Sequence, residues 1–307
     1  HLALREHAQA RERLEQAWSL GERSPEVAYA LGTALGALYL AELRAAERLE
    51  HPALREQRRK QVVETLREPA LRYLRAGASA SGVAPDYAEA LVAGYEGQWD
   101  RAETLAGRAV EKLPWLHEAI VLRGDAALGR ARTARERADY GAALDSITLA
   151  AARYREAAAI GRSDPAVYQN ECAAWDEAVY VRNDQELDPS GPYRNALAAC
   201  GNAITADPAS AEAHDNLAYA HWQWGQHLLA SGADPRQPLE LAVAASAQAQ
   251  KLRPEWATPY NTMGIAYGYL GRALARRGED PLPLIYKAIE NFRAALARDP
   301  NFAYAHA

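Results

Sequence analysis

Three histidines that lie close together in sequence, His214, His221 and His227, are the first candidates for metal ligands or general bases. On a helix, spacings of seven and six residues place His214 and His221 on one side and His227 elsewhere. Because a metal or catalytic site needs donors that converge on one point, this arrangement favours histidines that pack between helices. The sequence also lacks the phosphate-binding loop, the nucleophile elbow and the H-E-x-x-H motif. We therefore predict no catalytic residue, no cofactor site, no metal site and no enzyme activity.

The elements that must position these residues repeat with a period of 46 between Tyr168 and Pro300. Asp-Pro pairs recur at positions 188, 234 and 280, and a second set of prolines recurs at 208, 254 and 300. Alanines keep the same step at 196, 242 and 288 and again at 203, 249 and 295. A fixed period of this length, without strand alternation, predicts an all-α solenoid of stacked, antiparallel helix pairs.

Local signals predict where the helices begin and end. Gly232 and Gly278 are expected to end the first helix of a pair, and the Asp-Pro that follows each is expected to start the second. Pro69 is expected to interrupt a charged helix, and 77–85 is the most flexible link predicted from composition. One continuous domain is predicted over 1–307. Its order is a half repeat at 1–20, repeats at about 25–80, 85–113, 115–162, 165–206, 209–252 and 255–298, and the start of a further helix at 301–307.

The repeats resemble the tetratricopeptide repeat (TPR). In the last full repeat, the positions that match the family pattern are Tyr260, Met263, Gly264 and Tyr267 on helix A, and Ala288, Phe292, Ala295 and Pro300 on helix B. The resemblance implies a right-handed superhelix with a concave, peptide-binding groove. The family unit has 34 residues, whereas about 12 more separate helix A from helix B here. Such elongated pairs look like those behind the kinase domain of some bacterial serine/threonine protein kinases.

The same register predicts which residues line the groove. Large amphipathic side chains at positions that the helix pair does not require are typical anchors for a peptide. The alternative is that the extra length of helix A buries them against a neighbouring helix. The residues that chaperone-binding members use to clamp a terminal carboxylate are not matched, which disfavours that role. The predicted groove residues are Gln169, Asp176, Asp215, Tyr219, Trp222, Gln223, Asn261 and Tyr269.

The cysteines Cys172 and Cys200 fall where the two helices of one pair are predicted to cross, so their side chains are expected to lie near each other. Two small buried thiols are the favoured interpretation, and a disulfide bond is the alternative.

Charge and hydropathy restrict the class of partner. The net charge is -5 with both signs interspersed, which gives no basic field for nucleic acid. No apolar run approaches the roughly 18 residues of a membrane span, and the first residues do not form a signal-peptide pattern. We therefore predict a cytoplasmic protein that binds neither nucleic acid nor membrane.

These observations favour a protein–protein interaction scaffold that binds a peptide or partner domain in its groove. The resemblance points to a regulatory part of a bacterial signalling protein, such as a serine/threonine kinase. Two alternatives stay open at this stage. One is a small-molecule sensor with a pocket near Trp175, Trp222 and Trp224, and the other is an architectural solenoid that self-associates through its open repeat ends.

Overall fold

The structure, a computed structural model, describes residues 6–47 and 52–300. Within these ranges every regular element is helical, as predicted. The predicted helix start at 301–307 lies outside the described residues. Contacts between Cα atoms group the chain into two compact units, 1–126 and 127–307.

In the part of the first unit that the structure describes, six α-helices and the beginning of a seventh surround a core that includes Leu31, Leu35 and Leu74. Tyr39 and Tyr95 meet edge to face in this core, with ring centroids 6.0 Å apart. The helices are α1 (His7–Ser19), α2 (Pro25–Glu47), α3 (Pro52–Val62), α4 (Glu68–Ala76), α5 (Pro85–Tyr95), α6 (Trp99–Lys112) and the start of α7 (His117–Glu136), within which the boundary between the units falls.

The second unit is a stack of helix pairs. Besides the end of α7 it contains α8 (Tyr140–Ile160), α9 (Pro165–Asp184), α10 (Ser190–Ala206), α11 (Ala211–Ala230), α12 (Arg236–Leu252), α13 (Ala257–Arg276) and α14 (Leu282–Arg298). Helix α9 packs on α10, α11 on α12, and α13 on α14. The first helices of successive pairs also contact one another, α9 with α11 and α11 with α13, so each pair packs on the next. This is the solenoid arrangement that the period predicted.

The turns inside the pairs follow the predicted chemistry. Gly232 and Gly278 adopt positive φ angles of 80° and 74°, in the left-handed region that ends a helix without steric cost to glycine. The Asp280 side chain then accepts a hydrogen bond from the Leu282 amide at 3.0 Å, and Asp234 does the same for Arg236 at 3.1 Å. The aspartate thus satisfies an amide at the start of the second helix.

Small residues at the helix crossings allow the paired helices to approach closely. A Cβ atom added at Gly264 of α13 would lie 2.6 Å from the ring of Phe292 on α14. At Gly225 of α11, the added atom would lie 2.6 Å from the side chain of Leu239 on α12. The large side chain of one helix therefore occupies the space that glycine leaves on the other.

One local prediction in the first unit needs correction. Pro69 does not interrupt the helix, because α3 continues through a π-helical turn, Val63–Arg67, into α4, where Pro69 lies in the first turn. Within the link predicted to be flexible, Ser81 donates through its amide and its hydroxyl to Glu26 Oε1, at 3.0 and 3.1 Å.

Candidate functional site

The predicted groove residues divide into two groups by burial. One group is partly exposed on the first helices of the pairs and the other is buried between those helices. The partly exposed residues are Gln169, Tyr219, Trp222 and Tyr269. The buried residues are Asp176, Asp215, Gln223 and Asn261, and none of these is more than 5% exposed.

The buried residues connect successive repeats. Thr262 of α13 donates its hydroxyl to Asp215 Oδ1 of α11 at 3.0 Å. The side chain of Gln223 on α11 donates to the Asp176 carbonyl of α9 at 3.3 Å. The backbone carbonyl of Gln223 in turn accepts from Asn183 at 2.9 Å. We call this row of polar contacts between α9, α11 and α13 the interhelix seam. Its side chains hold neighbouring pairs together instead of facing a ligand.

A partly exposed residue, Gln169, makes the same kind of contact between repeats. Gln169 of α9 donates its side-chain amide to the Ser210 hydroxyl at 2.7 Å, and Ser210 in turn accepts from the Ala213 amide at 3.1 Å. Ser210 is the N-cap of α11, so Gln169 fastens the start of one repeat to the helix of the repeat before it.

Three partly exposed aromatic rings, Tyr219, Trp222 and Tyr269, form what we call the aromatic ridge. Tyr219 meets Trp222 edge to face at 5.2 Å on α11, and Trp222 stacks on Tyr269 of α13 at 5.9 Å. The guanidinium group of Arg272 lies 5.2 Å from the centre of the Tyr269 ring. The ridge therefore crosses from one repeat to the next and presents aromatic surface beside a positive charge.

A gap in side-chain packing lies next to this ridge at Gly268. Gly268 occupies the position on α13 that Trp222 occupies on α11, 46 residues earlier. A Cβ atom added there would meet no heavy atom within 4 Å, unlike one added at Gly264 or Gly225. We call this open position the notch. Its glycine is not required by helix packing, because a side chain added there would meet no neighbouring helix.

Sequence reasoning missed two members of this face. Arg272 follows Tyr269 by three residues, which is the spacing that places side chains on one helix face. Tyr180 follows Glu177 by three residues on α9, is 40% exposed, and has the Arg135 guanidinium group 5.4 Å from its ring centre. Extending the predicted groove by one helical turn would have found both.

The three histidines have structural contacts. His221 is buried, and its Nδ1 lies 2.8 Å from the hydroxyl of Tyr193, with burial lowering the pKa of His221 to about 4. Burial also raises the pKa of Tyr193 to about 12. His214 Nε2 lies 3.3 Å from the Pro208 carbonyl oxygen. His227 stacks on Trp224, which stacks in turn on Tyr193. These contacts account for the histidines as packing residues.

The two cysteines are bonded to each other, which corrects the favoured interpretation of two free thiols. The disulfide joins Cys172 of α9 to Cys200 of α10, with Cα atoms 4.9 Å apart. Both residues are fully buried, and Trp175 and Leu217 pack against them. The predicted proximity at the crossing is confirmed, and the distance between the Cα atoms lies within the range that a disulfide spans.

The pocket of the sensor hypothesis was predicted near three tryptophans, and the structure places their rings against other residues. Trp175 packs on the disulfide, Trp222 lies in the ridge, and Trp224 is stacked between Tyr193 and His227. Two clefts, of about 420 and 330 Å³, are lined by residues of the first unit, and the 420 Å³ cleft lies beside the π-helical turn.

Comparison with known proteins gives similar structures but no match in sequence. No family model and no curated protein sequence matches the chain. One similar structure is MamA, which is 15% identical, with 70% of this chain and 92% of that chain covered and a TM-score of 0.42. Another is YrrB, a TPR protein with an unusual peptide-binding site, which is 17% identical, with 72% of this chain and 89% of that chain covered and a TM-score of 0.39. A third is the C-terminal part of a TPR repeat-containing protein from Cytophaga hutchinsonii, which is 14% identical, with 97% of this chain and 92% of that chain covered and a TM-score of 0.46. Because these TM-scores are below 0.5, the helix packing described above carries the assignment of the fold.

The hydropathy of the helices was compared with that of a membrane span. Among the residues that the structure describes, no helix combines the length and the apolar character needed to cross a bilayer.

Proposed function

We propose that this chain is a protein-interaction scaffold and that its second unit binds an extended peptide segment of a partner along α9, α11 and α13. The aromatic ridge is the observation that carries the proposal. Its three rings are partly exposed at positions that the pairing of helices does not need, and rigid aromatic side chains are efficient anchors because they lose little conformational entropy on binding. The notch leaves room for a side chain of such a segment at the position equivalent to Trp222.

The division of the groove positions refines the predicted binding surface. Asp215 and Gln223 contribute their side chains to the interhelix seam, and the side chains of Asp176 and Asn261 are also buried. Tyr219, Trp222 and Tyr269, together with the missed Arg272, are the residues expected to touch the partner. An acidic or carbonyl group of the peptide is the natural complement to the Arg272 guanidinium group.

The experiment fills the notch without disturbing the fold. A peptide selected from a random library on the immobilised protein is titrated by fluorescence anisotropy against wild type, Gly268→Trp and Gly201→Trp. Gly201 is the matched control, since it is an exposed helical glycine of α10 whose added Cβ would also meet nothing within 4 Å. We expect Gly268→Trp to abolish binding and Gly201→Trp to leave it unchanged. Equal affinities for all three proteins would contradict the proposal.

A second substitution tests the anchor itself. Trp222→Ala should weaken the same peptide roughly thirtyfold, which corresponds to the ~2 kcal/mol of an aromatic hot spot. The control is Trp115→Ala, because Trp115 is 66% exposed in the first unit. Both variants are first checked for helix content by circular dichroism. A loss that is the same for Trp115→Ala and Trp222→Ala would argue against the ridge as the anchor.

The biological setting belongs to the same proposal. The resemblance of the elongated pairs to those behind bacterial serine/threonine kinase domains supports a regulatory role in cytoplasmic signalling. The coding sequence upstream of His1 tests this point directly. Kinase motifs there would support it, and an unrelated domain would contradict it while leaving the peptide-binding proposal intact.

Self-association is a second candidate, and α14 supplies an observation in its favour. Leu282, Tyr286 and Ile289 follow each other at spacings of four and three, which places them on one helix face, and they are 53%, 67% and 39% exposed. Light scattering across a wide concentration range would measure the mass. A mass that rises with concentration in wild type but not in Tyr286→Glu would support it, and a constant monomer mass would exclude it.

A further inference from the structure

The disulfide lies beside a buried carboxylate, and the three residues together form a set of potential metal ligands. The sulfur atoms of Cys172 and Cys200 and a carboxylate oxygen of Asp176 all lie within 4.8 Å of one another. All three residues are buried, with exposures of 0%, 0% and 4%. Among residues 6–47 and 52–300, no second group of three such donors is present.

The positions of these donors follow from the helix pair. Asp176 follows Cys172 by four residues, so both side chains lie on the same face of α9. Cys200 faces them from α10. The next two pairs carry no such set: the positions equivalent to Cys172 and Cys200 are Ala218 and Ser246, then Gly264 and Phe292. Helix packing at this crossing therefore requires neither thiols nor a carboxylate.

The oxidation state of the cysteines decides what this set can do. In a reducing cytoplasm, which the proposed function assumes, protein disulfides are normally transient. A cellular dithiol would reduce this bond by thiol–disulfide exchange. The S–S bond breaks, each protein sulfur gains one electron and one proton, and the dithiol loses two electrons and two protons as it closes to its own disulfide. The crossing then holds two thiols next to the carboxylate.

We propose that this reduced crossing binds a thiophilic divalent cation of the Zn²⁺ class through Cys172 Sγ, Cys200 Sγ and a carboxylate oxygen of Asp176. The cation displaces the two thiol protons to solvent and bonds two thiolates and one oxygen, which are ligands typical of zinc. A water molecule completes the tetrahedron. Two zinc–sulfur bonds of about 2.3 Å at a tetrahedral angle hold the sulfurs about 3.8 Å apart, so the proposal requires the two cysteine side chains to rotate apart after reduction.

The disulfide bond and the bound cation exclude each other at this site, because both use the sulfur atoms of Cys172 and Cys200. Exchange with the oxidised dithiol would transfer two electrons from the two thiolates to that disulfide and release the cation as Zn²⁺, whereas reduction by the dithiol would admit it. Entry requires α10 to open past Trp175 and Leu217, which pack against the cysteines, so uptake should be slow. The site links the pairing of α9 with α10 to redox conditions, and α9 is one of the helices of the proposed peptide surface.

The test uses the whole chain reduced with a phosphine, which takes up oxygen from water and, unlike a dithiol, competes little for the metal. Co²⁺ alone is the first probe. Reduced wild type should give a thiolate-to-cobalt charge-transfer band in the near ultraviolet, and the oxidised protein should not. Zn²⁺ should then displace the Co²⁺ with a stoichiometry of one per chain.

Three variants separate a true site from surface binding. Cys172→Ala with Cys200→Ser recreates the Ala218 and Ser246 pair of the next repeat, so it should fold and give no thiolate band. Asp176→Asn should keep a band and lose at least about tenfold in Zn²⁺ affinity. Glu177→Gln removes a neighbouring carboxylate that pairs with Arg135 instead and should bind Zn²⁺ as wild type does.

The contrary results are equally specific. The absence of a thiolate band in reduced wild type, or an equal band in the double variant, would overturn the proposal. Unchanged Zn²⁺ affinity in Asp176→Asn would remove the carboxylate from the site as proposed. If reduction lowers the helix content, Zn²⁺ must restore it in wild type but not in the double variant. None of these results depends on whether the peptide experiments succeed.

Discussion

The interhelix seam makes a quantitative prediction for Thr262→Val. The substitution replaces a buried hydroxyl with a methyl group of similar size and leaves the helix propensity almost unchanged. It removes the hydroxyl donor that lies 3.0 Å from Oδ1 of Asp215, and Asp215 is 0% exposed. A hydrogen bond to a charged group contributes roughly 1.5–3 kcal/mol. We therefore expect the second unit to lose about 2 kcal/mol of unfolding free energy.

The assay is urea unfolding followed by circular dichroism, with thermal unfolding as a second probe. For a unit of this size, about 2 kcal/mol corresponds to a fall of roughly 4–8 °C in Tm. Thr205→Val is the matched control, because the Thr205 hydroxyl donates to the Gly201 carbonyl at 2.8 Å on an exposed helix face. It should change stability by less than about 0.5 kcal/mol. Equal losses for the two variants would refute the seam as a stabilising contact between repeats.

A double-mutant cycle identifies the partner. Asp215→Ala and Thr262→Val should be non-additive when combined, because each removes the same contact. Coupling of about 1 kcal/mol or more would assign the loss to this pair. Strict additivity would show that Thr262 acts through other neighbours.

The remaining predictions concern three other contacts. Cys172→Ala with Cys200→Ser should lower the unfolding free energy by about 3.5 kcal/mol, which is the chain-entropy value for a disulfide between residues 28 apart. In urea unfolding, a reductant should lower the stability of wild type and leave that of the variant unchanged. The pKa of His221 is about 4 in the folded chain against an ordinary 6.5, because burial disfavours the imidazolium. The unfolded chain therefore binds a proton first, and stability should fall by about 3 kcal/mol as the pH drops from 6.5 to 4, a component that His221→Phe should lack. Gly264→Ala should cost about 1–3 kcal/mol because its Cβ would meet a ring of α14 at 2.6 Å, while Gly268→Ala on the same helix should gain up to about 1 kcal/mol, both measured by thermal unfolding.

The sequence determined where the helices of the second unit begin and end. Gly232 and Gly278 adopt the left-handed conformation that their position after helix A predicted, and Asp234 and Asp280 bond the first amides of the next helix. These signals act over a few residues, so they can be interpreted without knowledge of distant contacts. The local rule failed at Pro69, where a π-helical turn carries α3 into α4. There the preceding turn adjusted to the proline, which propensity alone does not reveal.

The tertiary structure alone decided which predicted groove residues face solvent. The register placed Asp215 and Tyr219 on the same general face of α11, yet Asp215 is buried against α13 and Tyr219 stays partly exposed. Periodicity gives the angle of a side chain around its own helix. It does not give the distance to the helix of the next repeat, and that distance determines burial.

The cysteines show the same division between sequence and structure. Their register predicted that Cys172 and Cys200 would lie near each other at a crossing, but bonding depends on the separation of the two backbones, which is 4.9 Å between Cα atoms. That separation is set by every residue packed along α9 and α10. A local pattern can therefore name the pair, whereas only the packed hairpin brings the two sulfurs and the Asp176 carboxylate into one buried cluster.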